Sequence, residues 1–446
     1  MRPDHRAMRI RVRCRKFRSV ASRYRFIAIV YALMQAESSS TNRKKMNTLA
    51  NSHLPERGAW GAVGSLTMCV AMLIASEFMP VSLLSPIAAD LHVTEGVAGQ
   101  AIAVSGLFAV ITSLTISAVA SRFNRRLVLI ALTTCMLMSL ILNASAPNFF
   151  FMMVARALLG ITIGGFWSLS TATVMQLVPK ADVPKALGVM YMGNAAATAF
   201  AAPIGSYLGH LIGWRGVFWA IVPLVLLNLI WQWRSLPAMP SQARIPVSRL
   251  VSVLCRPHVL FSVLATMLTF AGAFAVFTYL RPFLENSTKV SPAELSLLLL
   301  ALGTAAFLGT YGATALLKKS LYPLLRGLPA ALAFVTLAML MMGGSMWAVA
   351  LMLVAWGALN AALPVTWFNW LAQEVGDEPE VAGGIMVGAI QLAIMSGAAL
   401  GGVLLDHFSV SITFVFGAAL LLLAALAVGR GTYLRSNKHI GEAIYS

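Results

Sequence analysis

Long apolar runs separated by short polar connections make up most of this chain. A bilayer core about 30 Å thick needs ~20 apolar residues in a helix, and many of the runs are at least that long. The pattern predicts twelve transmembrane helices, at roughly 60–89, 96–120, 127–146, 149–176, 185–212, 215–233, 259–284, 293–317, 323–343, 345–372, 381–405 and 410–429.

Composition supports the same class of protein. The chain of 446 residues is 59% hydrophobic and 11% charged, with a mean hydropathy of +0.80. Soluble domains carry about 25% charged residues, so a soluble globular fold is excluded. The predicted fold class is an all-α polytopic membrane protein.

A polar stretch at 234–258 divides the helices into two sets of six. The sets resemble each other at an offset of about 196 residues: residues 201–206 (AAPIGS) match 397–402 (GAALGG), and Ser85-Pro86 matches Arg281-Pro282. We therefore expect two pseudo-symmetric halves with a substrate site between them near the midplane. The predicted organisation is a cytoplasmic tail (1–58), a first half (59–233), a central connection (234–258), a second half (259–429) and a cytoplasmic tail (430–446).

Basic residues predict the orientation. Alternate connections carry most of them: Arg122, Arg125, Arg126, Lys180, Lys185, Arg234, Arg244, Arg249, Arg256, Lys318, Lys319 and Arg326. The opposite connections carry Arg215, Arg281 and Lys289. By the positive-inside rule, both termini and the central connection are cytoplasmic. An acidic connection (Glu374, Asp377, Glu378 and Glu380) does not change this, because acids contribute little to topology.

The first 45 residues hold 13 of the 33 Lys and Arg residues and two acids. Such a segment resembles a basic arm that binds nucleic acid or anionic lipid. Alternatively the start is over-extended, because Met46 opens an ordinary short tail before the first helix. We favour the second interpretation and expect no nucleic-acid partner.

Metal, redox and enzyme chemistry find no support in the sequence. Cys14, Cys69, Cys135 and Cys255 are scattered, without a CxxC pair or neighbouring histidines. We identify no Ser/His/Asp set and no phosphate-binding loop. We therefore expect no cofactor, no bound metal, no enzymatic activity and no ATP-driven transport.

Glu77 is the single ionisable residue in the apolar run from Trp60 to Ala89. An ionised, unpaired carboxylate is costly in hydrocarbon, so this group should face a wet cavity, find a partner or be protonated. One interpretation is a proton-carrying acid in a transport pathway. The other is a carboxyl group neutralised by a neighbouring helix, with a structural role.

Two further predicted helices carry motifs. The fourth contains Arg156, which must be paired or hydrated because it keeps its charge, and a GxxxG step at Gly160 and Gly164 that permits close helix approach. The fifth contains Pro203, which removes one backbone hydrogen bond, with glycines at four-residue spacing, Gly205 and Gly209. The sequence Gly213-Trp214-Arg215 follows.

Together the 6+6 plan, the RxxxGxxxG motif and the proline–glycine signature with its GWR tail resemble the major facilitator superfamily. The signature is similar to that of its proton-coupled drug antiporters. The connection at 117–126 resembles the family's GxxxDRxGRR loop, with Ser117 and Asn124 in place of glycines and Ser121 in place of the aspartate. Arg122, Arg125 and Arg126 are retained, so cytoplasmic anchoring is expected.

Three segments narrow the resemblance: SEFMPVSLLSPIAADLHVTEGVAGQ, LVPKADVPKALGVM and FTYLRPF. They look like the sugar and nucleoside exporters of this superfamily, and most like those that export purine ribonucleosides. The resemblance implies a monomeric proton antiporter of the bacterial inner membrane that exports inosine, guanosine and toxic analogues. Glu77 would carry the proton, and Arg156 would tune it or share its cavity.

In this fold, helices one, four, seven and ten line the cavity. Candidate substrate contacts are aromatic residues, on which a base could stack, and amides in apolar helices, which could bond ribose or base edges. The aromatic candidates are Phe78, Trp167, Phe274, Phe277, Trp356 and Trp367; the amides are Asn194, Asn360, Asn369 and Gln391. Each could instead serve helix packing or face lipid. The functional alternatives are a sugar or multidrug antiporter, a facilitator or symporter, and a receptor or scaffold without flux.

Overall fold

The computed structural model describes residues 56–179, 181–239, 247–317, 321–375, 378–429 and 431–435. The predicted basic arm at 1–45 lies outside the described residues. So do several basic and acidic residues used for the orientation: Lys180, Arg244, Lys318, Lys319 and Asp377.

Long helices account for most of the described chain. In the first half they are α1 (Glu56–Ser82), α2 (Leu84–Asp90), α3 (Glu95–Ala120), α4 (Arg125–Ala144), α5 (Phe149–Leu177) and α6 (Val183–Ser235). After the central connection come α7 (Val247–Leu254), α8 (Pro257–Thr278), α9 (Leu280–Phe283), a π-helical turn (Leu284–Thr288), α10 (Pro292–Leu317), α11 (Leu321–Met341), α12 (Met346–Glu374), α13 (Pro379–His407) and α14 (Val410–Val428). A 3₁₀ turn, Thr432–Leu434, follows.

The helix α6 accounts for two of the twelve predicted crossings. Its backbone breaks at Gly213, where φ is 73° and ψ is 162°, a left-handed conformation that glycine adopts without a steric penalty. We call the two segments α6a (183–212) and α6b (214–235). Eleven described helices are long and apolar enough to cross a membrane, and one of them is this double helix. The twelve predicted crossings are therefore present.

Two predicted helices were expected to run unbroken and do not. The first ends at Ser82 and continues as α2, and the seventh ends at Thr278 and continues as α9. Proline explains both breaks: Pro86 and Pro282 lie four residues beyond those ends and cannot donate the hydrogen bond that would extend each helix. The Ser82 carbonyl left free in this way accepts a hydrogen bond from Arg281 of the other half.

The ends of the bundle are defined by alternation of the helices. The end of the bundle at which α1 and α8 finish and α3 and α10 begin is called the distal end. The distribution of basic residues predicts that this end faces the periplasm. At the opposite, proximal end the helix α6 finishes at Ser235 and α8 begins at Pro257.

The halves meet along two pairs of helices, α3 with α13 and α6a with α10. Within the first half α5 packs closely on α3, because Gly160 and Gly164 have no side chain. A Cβ at Gly160 would collide with the Ser105 carbonyl, and one at Gly164 with that of Ala109. This close contact fixes the position of α5, and with it Arg156.

Candidate functional site

Arg156 is held in the first half by main-chain oxygens. Its side chain is fully buried, and its guanidinium donates to the carbonyls of Ser76 at 2.9 Å, Glu77 at 3.2 Å and Ala101 at 3.3 Å. A fork of fixed N–H donors suits this arrangement. The guanidinium thus joins α5 to α1 and α3. None of these three hydrogen bonds goes to the Glu77 carboxylate.

Glu77 lies on α1, five residues before this helix ends at Ser82, and is 4% exposed. Two groups act on its carboxyl group: the charge of Arg156 and the side chain of Gln391, which is within hydrogen-bonding reach. Gln391 belongs to α13 of the other half and is 6% exposed, and its Oε1 has no hydrogen-bond partner among the described residues. The buried acid therefore sits between a cation of its own half and an amide of the opposite half.

Aromatic rings of the second half pack against Phe78, the residue that follows Glu77 on α1. Phe78, next to Glu77, has its ring centroid 5.9 Å from that of Phe274 and 5.8 Å from that of Phe277. Phe277 in turn stacks on Trp356 of α12, at 6.0 Å and an interplanar angle of 6°. We call Phe78, Phe274, Phe277 and Trp356 the ring cluster. The Trp356 indole donates to Thr336, which fixes the plane of its ring.

Two predicted aromatic contacts lie apart from the ring cluster. Trp167 is half-buried and stacks on Tyr191 of α6a, with centroids 6.3 Å apart. Trp367 is fully buried against Trp370, and its indole nitrogen has no partner in the described part of the chain. The structure therefore brings four of the six predicted rings together and places the other two elsewhere on the bundle.

The predicted amides are spread more widely. Gln391 lies beside Glu77, whereas Asn194 on α6a and Asn360 on α12 are partly buried. Asn360 is one helical turn beyond Trp356 and shares its helix face. Asn369 accepts a hydrogen bond from Gln373 at 2.7 Å on its own helix.

The residues of the predicted conformational motifs take part in helix packing. Gly205 of α6a faces Ser82, whose Oγ would be 2.8 Å from an added Cβ, and Gly209 faces Leu83. Pro203 lies inside α6a between these packing positions and Phe200. The glycine face of α6a therefore packs against the end of α1, where that helix is interrupted.

The arginines that follow α3 differ in their surroundings. Arg122 is exposed, whereas Arg125 is 4% exposed and its Nη1 is 3.4 Å from Oε1 of Gln176. Arg126 lies over the Trp233 ring, 5.5 Å from its centroid. Asn124, which replaces a family glycine, caps α4 by accepting from the Arg126 amide at 3.0 Å.

Polar contacts between the halves at the distal end were missed by the sequence reasoning. The Ser85 hydroxyl is 2.5 Å from Oε1 of Glu95 and 2.5 Å from Oε2 of Glu285, and Arg281 donates to Oε1 of Glu285 at 2.8 Å. Separately, Asp406 accepts from the Thr94 hydroxyl at 2.6 Å and the Gly96 amide at 3.0 Å. The repeat that aligns Ser85 with Arg281 was the available signal.

Among the residues that the structure describes, no three His, Cys, Asp or Glu side chains come together in a group that could hold a metal ion. What the arrangement provides is a buried acid, a fixed cation and a set of rings between two helical halves.

Two six-helix halves around a buried polar site are the design of a secondary transporter. The chain belongs to the Major Facilitator Superfamily, whose family model matches residues 66–387. It is a multi-pass membrane transporter of small molecules, not an enzyme.

Two relatives cover most of the chain. The transcription regulatory protein OpdE of Pseudomonas aeruginosa is 47% identical, over 84% of this chain and 94% of its own. The purine ribonucleoside efflux pump NepI of Salmonella paratyphi B is 39% identical, over 83% and 94% respectively. Among solved structures, a D-xylose-proton symporter shares the fold with a TM-score of 0.64 at 17% identity, covering 83% of this chain and 96% of that one.

Proposed function

We propose that this protein is a proton-coupled exporter of purine ribonucleosides, such as inosine and guanosine, and of their toxic analogues. It would work as a monomer in the bacterial inner membrane, with both termini in the cytoplasm. One observation carries the proposal: the Glu77 carboxyl group is buried beside Gln391 of the other half, and the next residue, Phe78, belongs to the ring cluster.

The proton step is assigned to Glu77. An alternating-access exporter needs one group that takes a proton on the periplasmic side and gives it up on the cytoplasmic side. Glu77 suits this role because Arg156 makes its hydrogen bonds to carbonyl oxygens, so the carboxylate is free to exchange a proton.

The substrate would be recognised chiefly by stacking and by amides. Base-on-aromatic stacking is worth about 1–3 kcal/mol and tolerates different bases. The ring cluster offers such surfaces next to Glu77, and the Oε1 of Gln391 could accept from a ribose hydroxyl or a base N–H. The efflux pump at 39% identity supports the purine assignment.

The decisive experiment is proton release on addition of inosine to the detergent-solubilised protein, compared with the Glu77→Gln variant. Glutamine keeps the size and hydrogen bonding of the side chain but cannot release a proton. We expect the variant to bind inosine without proton release and without pH dependence. In proteoliposomes it should not accumulate inosine against a gradient. Glu77→Asp should keep part of the activity with a shifted pH optimum.

A matched control is Glu294→Gln, the same chemical change at the start of α10. Glu294 accepts from the Ser291 amide at 2.7 Å, and glutamine can keep this cap. Proton release should be unchanged in this control. Undiminished release in Glu77→Gln itself would refute the assignment of the proton to Glu77.

Two other functions are tested in parallel. A sugar or multidrug antiporter of the same superfamily would confer resistance to arabinose analogues or cationic drugs rather than to 6-mercaptopurine riboside. A regulatory membrane receptor is favoured by the name of the relative at 47% identity. Inosine binding by purified protein without flux in proteoliposomes would support that receptor role.

A further inference from the structure

A chain of polar groups at the distal end connects the two halves. Ser85 on α2 belongs to the first half, as does Glu95 at the start of α3; Glu285 in the π-helical turn and Arg281 on α9 belong to the second. Arg281 reaches across to the Ser82 carbonyl, and Ser85 reaches across to Glu285. We call Ser85, Glu95, Glu285 and Arg281 the distal clasp.

Counting hydrogens shows that the clasp needs a bound proton. The Ser85 oxygen is 2.5 Å from a carboxyl oxygen of Glu95 and 2.5 Å from one of Glu285. Ser85 has one hydroxyl hydrogen and can donate it to one of them. An ionised carboxylate accepts only, so the other contact requires a protonated carboxylic acid that donates to the Ser85 oxygen.

The surrounding charges assign the proton to Glu95. The Oε1 of Glu285 already accepts from the Arg281 guanidinium at 2.8 Å, so Glu285 has a cationic partner of its own. Glu95 has no ion pair in the described part of the chain. Its partial burial disfavours a negative charge, and the neighbouring charges of Glu285 and Asp406 repel one. The cation that acts on Glu95 is Arg281, which is itself bonded to Glu285.

We propose that Glu95 is a second proton-binding site, and that its proton closes the distal end. With the proton bound, Glu95 donates to Ser85, Ser85 donates to Glu285, and Arg281 completes the chain. When Glu95 loses the proton, the Ser85 oxygen faces two carboxylates with one hydrogen, and the contact between the halves is lost. In an exporter this would close the periplasmic gate after proton uptake. The proposal does not depend on the substrate or on the role of Glu77.

A neighbouring contact provides an internal comparison. Asp406 of α13 also joins the halves, but its two donors, the Thr94 hydroxyl and the Gly96 amide, each bring their own hydrogen. It needs no added proton. Tyr279, another titratable group near Asp406, donates to the Ala398 carbonyl at 2.7 Å and takes no part in the clasp.

The test measures distal opening directly. Spin labels are attached to cysteines that replace Phe150 and Trp347, exposed residues at the distal starts of α5 and α12, after Cys14, Cys69, Cys135 and Cys255 have been replaced by serine. Distance distributions are recorded in nanodiscs without substrate from about pH 5 to 9. We expect the closed-to-open ratio to fall with rising pH, by up to about tenfold per pH unit, the limit for one linked proton.

Four variants test the individual contacts of the distal clasp and their surroundings. Glu95→Gln donates an amide hydrogen to Ser85 at every pH, so the pH dependence should be lost with the closed state retained. Ser85→Ala should favour the open state at all pH values. Asp406→Asn should weaken closure but keep the pH dependence, and Glu294→Gln should match the parent.

One variant distinguishes this proposal from the proposed transport mechanism. Glu77→Gln should still close in a pH-dependent manner. Loss of the response in Glu77→Gln together with its persistence in Glu95→Gln would overturn the clasp while supporting Glu77 as the proton carrier. A parent protein whose distal distances ignore pH would also overturn the clasp, and would leave proton release at Glu77 to be judged separately.

Discussion

The two halves contribute different side chains to the buried region between them, although their helices follow the same plan. The offset of about 196 residues pairs Phe78 with Phe274, whose rings are in contact, and it pairs the two prolines that break α1 and α8. The same offset pairs Glu77 with Ala273 and Arg156 with Met352. The charges therefore belong to the first half and most of the rings to the second. A symmetric scaffold can thus carry its buried charges in one half and most of its rings in the other.

The largest expected effect comes from weakening the charged half. Arg156→Lys keeps the positive charge, but an ammonium group cannot reach three carbonyls as the guanidinium does. Losing two charged hydrogen bonds at ~1.5 kcal/mol each should reduce inosine transport about 100-fold. Transport is measured in proteoliposomes, alongside thermal unfolding. Retention of more than half the activity would mean that the charge alone is sufficient.

An intermediate effect is expected in the half that supplies the rings. Phe277→Leu removes the ring that touches Phe78, Phe274 and Trp356, so the dissociation constant for inosine should rise about tenfold, the value of one stacking contact. Isothermal titration measures it. The control is Phe283→Leu, which removes a ring that stacks on Phe414 at 4.8 Å in the same half. Equal losses in both variants would indicate packing instead of stacking.

The smallest effect tests whether the first half also stacks substrate. Trp167 lies three turns beyond Arg156 on the same face of α5, about 16 Å toward the proximal end. Its ring already stacks on Tyr191. Trp167→Ala should weaken inosine affinity by about threefold, which is more than any reduction in protein level. Equal losses for a nucleoside and for a non-aromatic substrate would indicate packing at this position, and a loss as large as that of Phe277→Leu would remove the contrast between the halves.

The arrangement of the helices could be predicted from the sequence because local rules determine it. Apolar length predicts the crossings, and the glycine spacing predicts the close contact of α5 with α3. The breaks at Leu83 and Tyr279 were missed, although Pro86 and Pro282 imply them once the four-residue reach of a helical hydrogen bond is considered.

The site was harder to predict because it depends on side-chain directions and long-range contacts. Glu77 and Gln391 are more than 300 positions apart, and Ser85 and Glu285 are 200 apart. Trp167 and Trp367 fit the same residue criteria as Trp356, and their surroundings alone distinguish them. The partners of Arg156 were also unpredictable, because every residue offers a main-chain carbonyl.

The hydrogen bonding of Arg156 to main-chain carbonyls affects which residues around it can change during evolution. The three acceptors of Arg156 are peptide oxygens, which remain in place when the side chains of Ser76 or Ala101 are exchanged. The anchoring of the arginine is thus insensitive to most substitutions around it, and it is vulnerable mainly to changes that move a helix, such as a larger residue at Gly160. A lineage could replace the rings of the second half one at a time, acquiring new cargo, while the charged centre passes unchanged from ancestor to descendant.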